Sequence, residues 1–190
     1  KRNQFILSKK LFSNIFEVAV PASASPLLTV GTILVLTGLV GTFGTEALAG
    51  FGIGSRVEFL MIPLIFGIGT AMTSIVGANI GANNIERAET VGIYGGSLAG
   101  IVSVFIGLTL ALFPDLWIQY FTDDPKASAV TTMYIQLVGP FYVFQGIGLS
   151  LYFASQGANA MKWPTIATIA RFLIASIGGS IAIYWLGLGI

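Results

Sequence analysis

The 190-residue chain contains neither cysteine nor histidine. Without cysteine there is no disulfide framework, and nothing about a redox compartment can be read from thiols. The two absences together remove the usual ligands of zinc, haem and iron–sulfur clusters, so no metal and no cofactor is expected. They also remove the imidazole of a Ser-His site and of a zinc metalloprotease helix. No Walker-type Gly-Lys-Ser/Thr stretch is present, and no aspartate falls inside an apolar stretch, so neither ATP binding by this chain nor an intramembrane aspartyl dyad is expected. Enzyme readings therefore fail. Charge is scarce too. Asp, Glu, Lys and Arg make up 9% of the residues, against about 25% in soluble domains, which need charge to hydrate their surface. The net charge is +1, and no basic run long enough to follow a phosphate backbone exists, which argues against a nucleic-acid partner.

What the chain has in quantity is apolar residue, at 55% and a mean hydropathy of +0.87. Five continuous apolar stretches are predicted as helices over about 18–40, 47–76, 91–112, 130–154 and 164–185. Each reaches the roughly 20 residues that cross about 30 Å of hydrocarbon. Continuous rather than alternating hydrophobicity selects helices over barrel strands. The expected fold is all-α, a polytopic transmembrane helix bundle in the lipid bilayer. The breaks carry Gly, Asn, Asp and Pro, as in Gly81-Ala-Asn-Asn84 and Gly157-Ala-Asn-Ala160. The chain does not start with Met and stops in mid-pattern, which reads as a fragment of a longer protein.

Basic residues mark alternate breaks. Lys1, Arg2, Lys9 and Lys10, then Arg87, then Lys162 fall on one side, whereas Glu46, Asp115, Asp123 and Asp124 fall on the other with Lys126. The positive-inside bias makes the N-terminus cytoplasmic and puts Trp117, Tyr120, Phe121, Tyr184 and Trp185 in an outer aromatic belt.

Several residues stand out as candidates. Small-residue stripes (Gly92, Gly96, Gly100; Gly50, Gly54; Gly77, Gly81) suit close helix packing, with a homodimer face as the alternative. Pro21 and Pro26 interrupt the first helix and are hinge candidates; Pro63 and Pro140 raise the same choice between a static kink and a hinge. Arg56 and Glu58 lie in the second stretch, two residues apart and on nearly opposite faces, so each needs its own partner or a solvated cavity. Arg171 reads as a cytoplasmic-side anchor. Tyr142, Gln145, Tyr152 and Gln156 share one broad face of the fourth helix and fit either a substrate cavity or interhelical hydrogen bonding.

Taken in order, Glu46-Ala-Leu-Ala-Gly-Phe-Gly-Ile-Gly-Ser-Arg56, Ile62-Pro-Leu-Ile-Phe-Gly-Ile-Gly69, Val76-Gly-Ala-Asn-Ile-Gly-Ala82, Glu86-Arg87-Ala88, Phe121-Thr-Asp-Asp-Pro125 and Ala154-Ser-Gln-Gly157 resemble the second lobe of the multidrug and toxic compound extrusion (MATE) family. The resemblance implies a two-lobe antiporter of which residues 1–190 are a partial C-terminal lobe holding helices seven to eleven, the N-terminal lobe being its missing partner. It implies export of small organic, often cationic, compounds against a proton or sodium gradient, and a bacterial inner membrane. In the NorM-like branch the second lobe carries acidic groups at positions that fall near Thr29 and at Gln145 here. Neither is ionisable, so the chain looks more DinF-like, with its coupling carboxylate in the other lobe. Arg56 falls near a cavity-facing position, and Glu58 is the one local candidate for ion coupling. A lipid-linked saccharide flippase of the same superfamily and a non-transporting scaffold are the alternatives.

The charge bias generates a topology test. A cysteine placed at Asn83 should stay unlabelled by an impermeant reagent added outside intact cells, and one placed at Asp123 should react. The reverse pattern would overturn the orientation.

Overall fold

The computed structural model describes residues 9–187. Lys1 and Arg2, which enter the orientation argument, and residues 188–190 lie outside the described residues. The described elements are all helical: α1 (Lys9–Gly41), α2 (Thr45–Ser55), α3 (Val57–Gly81), α4 (Ile85–Leu112), α5 (Asp115–Ile118), α6 (Pro125–Val138), α7 (Tyr142–Gly157), α8 (Lys162–Leu173) and α9 (Gly179–Tyr184). A 3-10 turn at Gly139–Phe141 joins α6 to α7, and a π turn at Ile174–Gly178 joins α8 to α9. Joined in this way they make five spans long and apolar enough to cross a membrane: Ile15–Gly41, Thr45–Gly81, Ile85–Leu112, Pro125–Gly157 and Lys162–Tyr184. The five expected helices are all present. All five start earlier than predicted, because helix continues through polar residues beyond the apolar stretch; the first, third and fifth end within one residue of the predicted ends.

Two spans are broken where continuous helices were expected. The second is interrupted at Arg56, after the run Gly50, Gly52, Gly54 and Ser55, residues that hold helix weakly. The fourth tightens at Gly139-Pro-Phe141, where Pro140 has no N–H to give. α1 runs unbroken through Pro21 and Pro26; the side chain of Pro21 lies outside the described residues. Pro63 also sits within a continuous helix, α3.

The interior is a packed trio of spans. α3, α4 and α7 lie against one another, and above them α2 pairs with α6. Val57, Met61 and Ile65 of α3, Ala99 and Leu110 of α4, Ile135 of α6 and Tyr142 of α7 form the core. α1 instead lies along α8 and touches α2. α8 and α9 bury no residue. Large apolar side chains such as Leu27, Phe105, Phe144 and Ile174 are exposed on the outside, as a surface solvated by acyl chains requires.

Glycine sets the spacing of the trio and of the α2/α6 pair. A Cβ on Gly50 would lie 2.8 Å from the Ala127 carbonyl, one on Gly100 would lie 2.8 Å from Ile147, and one on Gly77 would lie 3.2 Å from the Gly157 carbonyl. Gly54 abuts Tyr134, and Gly96 packs on Leu151. The stripes thus serve packing within the chain at these five positions, while Gly81 and Gly92 face open space. A tighter contact that the spacing rule missed is Gly107 against Gly139, where the α4 backbone meets the 3-10 turn. α3 and α7 also end alike, on Gly81-Ala-Asn83 and Gly157-Ala-Asn159, with the asparagines at φ 57° and 55°. Asparagine tolerates this left-handed conformation well enough to stop a helix.

Gly139→Ala would bring its methyl 2.6 Å from the Gly107 carbonyl. It should lower stability in detergent by about 1–3 kcal/mol, read as a lower unfolding midpoint and poorer yield. Gly148→Ala, which meets nothing within 4 Å, should leave the midpoint unchanged.

Candidate functional site

The polar residues of the spans sort into three groups. The first surrounds Glu58, in the first turn of α3. Gln145 Nε2 donates to one carboxylate oxygen at 3.3 Å and the Tyr134 hydroxyl reaches the other at 3.5 Å. Tyr134 comes from α6 and Gln145 from α7, so the carboxylate bridges the two sides of the 3-10 turn. The Tyr142 hydroxyl lies next to that of Tyr134 and in the field of Glu58.

The second group joins α1 to α8. Arg171 Nη2 donates to Thr29 Oγ1 at 2.6 Å, while that hydroxyl donates its own proton to the Ser25 carbonyl at 3.0 Å. Arg171 is therefore held against α1 rather than directed along its own helix to the cytoplasmic boundary, which corrects the anchor expectation. It is also the cation whose field reaches Glu58.

The third group consists of side chains that satisfy carbonyls at a proline within a helix and at a helix break. Pro26 has no N–H to offer the Ala22 carbonyl four residues back, and the Tyr152 hydroxyl donates to that carbonyl at 2.8 Å. At the α2/α3 break, Trp117 Nε1 donates to the Ile53 carbonyl at 3.0 Å. Trp117 is thus half-buried, whereas Tyr120, Tyr184 and Trp185 are well exposed. Sequence spacing had no signal for either bond, since each partner lies far away along the chain.

The predicted candidates consequently divide. Glu58 and Gln145 are brought together. Tyr142 does not share their open face: it is 1% exposed and belongs to the core. Successive residues turn by about 100°, which leaves Tyr142 about 60° away from Gln145, on the side that meets α4. Tyr152 is committed to α1, and Gln156, half-buried, has no side-chain bond among the described residues. Arg56 points away from Glu58, as their spacing predicted. Its guanidinium lies 5.5 Å from the centre of the Phe121 ring, on the exposed side next to α5, so it is set apart from the Glu58 cluster. The two non-ionisable positions noted in the sequence, Thr29 and Gln145, each bond an ionisable residue from a neighbouring helix.

Five apolar spans, with the Glu58 carboxylate bonded between three of their helices, define a polytopic helical membrane protein. The MatE family model matches residues 21–181, and the chain belongs to that family. It is 30% identical over 184 residues to a probable multidrug resistance protein NorM of Thermotoga maritima, covering 93% of this chain and 40% of that protein. It is 23% identical to the multidrug export protein MepA of Staphylococcus haemolyticus, over 94% of this chain and 41% of that one. A protein of Shewanella oneidensis named FAD transporter is 23% identical over 80% of this chain and 33% of its own length. The chain thus spans about two fifths of the length of the first two relatives. These relatives point to a transporter rather than an enzyme.

The Pro26–Tyr152 pairing can be tested by a double-mutant cycle. Tyr152→Phe should cost about 1 kcal/mol. In a Pro26→Ala background, where an N–H is restored to the Ala22 carbonyl, the same change should cost much less. Equal costs in both backgrounds would show the hydroxyl to be idle.

Proposed function

We propose that this chain is part of the second lobe of a secondary antiporter that exports small organic, often cationic, compounds against a proton or sodium gradient across a bacterial inner membrane. Its N-terminal end is cytoplasmic on this reading. Family membership and the names of the drug-export relatives support the export function. The single observation that carries the mechanism is the carboxylate of Glu58 inside the helix bundle, bonded by Gln145 and Tyr134. A carboxylate in that setting suits reversible loading with a proton or a small monovalent cation, because leaving it uncompensated in hydrocarbon costs several kcal/mol.

This reading changes the branch argument. Position 145 carries no acid, but Glu58 brings one to it from the next helix, so a coupling group need not be sought only in the other lobe. A NorM-like arrangement with the carboxylate moved to a neighbouring helix accounts for the residues as well as the DinF-like arrangement does.

In inside-out vesicles holding the full-length transporter, Glu58→Gln should reduce gradient-driven ethidium transport at least tenfold while ethidium binding to the purified protein persists. Gradient-driven transport at the wild-type rate would place coupling elsewhere. Gln145→Leu, which removes one donor from the carboxylate, should give a smaller, several-fold loss.

A further inference from the structure

Tyr134 is the side chain of the Glu58 cluster that also packs on the outer half of the second span. It stands on α6, and its ring lies against α2 in two places. Gly54 abuts it so closely that a Cβ there would overlap the ring. Phe51, one turn earlier, meets it edge-on, with ring centres 5.5 Å apart and planes at 90°. The hydroxyl reaches past the break at Arg56 to the Glu58 carboxylate, 3.5 Å away in the first turn of α3. One residue of a neighbouring helix therefore bridges both sides of the break.

The two ends of this bridge respond to different things. The ring end is steric. The missing side chain at Gly54 makes a seat, and the perpendicular pair with Phe51 closes it. Three residues earlier on α6, the buried Thr131 donates to the Gly50 carbonyl at 3.1 Å. Tyr134 thus moves with α2 and α6 as one unit. The hydroxyl end is electrostatic. A hydrogen bond to an ionised carboxylate is about twice as strong as one between neutral groups. The Tyr142 hydroxyl, next to that of Tyr134 and carried by α7, is a neutral competitor. Charge on Glu58 therefore decides how firmly the phenol is held at α3. Among the described residues no other side-chain hydrogen bond links α2 or α6 to α3.

We propose that Tyr134 is a positioning residue that passes the charge state of Glu58 to α2: it latches the outer α2/α6 pair to α3 while the carboxylate is charged and releases the pair when a proton or cation neutralises it. The proposal rests on the coupling reading of Glu58 and supplies a path from loading to movement.

The test reads the distance across the break. Leu48→Cys on α2 and Leu64→Cys on α3, both at exposed positions, place two nitroxide labels about 24 Å apart along the span, a separation that pulsed electron resonance measures. The full-length transporter in lipid is used on a cysteine-free background, which this chain provides unchanged. Glu58→Gln stands for the neutralised carboxylate. It should raise the population of a second, displaced distance about fivefold over wild type, as loss of one hydrogen bond to a charged group predicts. Tyr134→Phe, which keeps the ring in its seat and removes only the hydroxyl, should raise it by the same factor. The two changes in one protein should give no further rise, which a merely structural role for the ring does not explain. A distribution that either single variant leaves in its wild-type form overturns the proposal, and so do effects that multiply in the double variant. If the distances respond as expected while Glu58→Gln transports ethidium at the wild-type rate, the coupling reading has failed by itself and the latch stands.

Discussion

A backbone carbonyl left without a partner in hydrocarbon has no water to bond, and much of this structure follows from that constraint. Prolines and helix breaks in a span release such groups, and at two of them a long-range side chain collects the carbonyl. Tyr152 takes the Ala22 carbonyl that Pro26 cannot serve, and Trp117 takes the Ile53 carbonyl at the α2/α3 break. Threonines do related work across helix pairs: Thr73 donates to the Phe153 carbonyl at 2.8 Å and the buried Thr131 to the Gly50 carbonyl at 3.1 Å. These bonds tie α7 to α1 and to α3, α5 to α2, and α6 to α2. The polar chemistry that mends the backbone is the same chemistry that sets which spans are neighbours.

Close approach is the second requirement, and glycine meets it. Hydrophobic attraction between helices is weak when the solvent is itself apolar, so contact area and hydrogen bonding must replace it. The α4 backbone reaches the 3-10 turn through Gly107 and Gly139, and α3 reaches the end of α7 through Gly77 and Gly157. Backbone contact at both ends of α7 fixes its first turn so that Gln145 stands at a defined position against Glu58. The site is thus placed by residues with no functional group of their own.

Much of this was legible in the residues. Hydrophobic length reported five spans, four-residue glycine spacing reported the tight contacts at Gly50, Gly54, Gly77 and Gly100 but missed others such as Gly107 and Gly146, and the two-residue offset of Arg56 and Glu58 reported their opposite directions. Pro140 marked the turn in the fourth span. The rest was not legible because local pattern carries no address for a distant partner. Tyr152 and Gln156 look alike on a helical wheel, yet one is bonded to α1 and the other is not. Tyr142 sits at the edge of the same polar face, and only the position of α4 decides that it belongs to the core. Arg171 resembled a boundary anchor because distance along its own helix was the only measure available. Thr29, 142 residues away, gives it another role.

The break at Arg56 and the turn at Gly139–Phe141 lie at nearly the same height, since Tyr134 just before one and Gln145 just after it both meet Glu58 just after the other. A single weak point lets one helix bend by itself. Two weak points side by side, in helices whose outer halves are clamped through Gly50, Thr131 and Gly54, form an axis. Bending either helix alone would pull α2 away from α6, so the soft mode of this region is a joint tilt of the pair. In mechanical terms the two breaks make one axle, and the Glu58 carboxylate is the pin set across it.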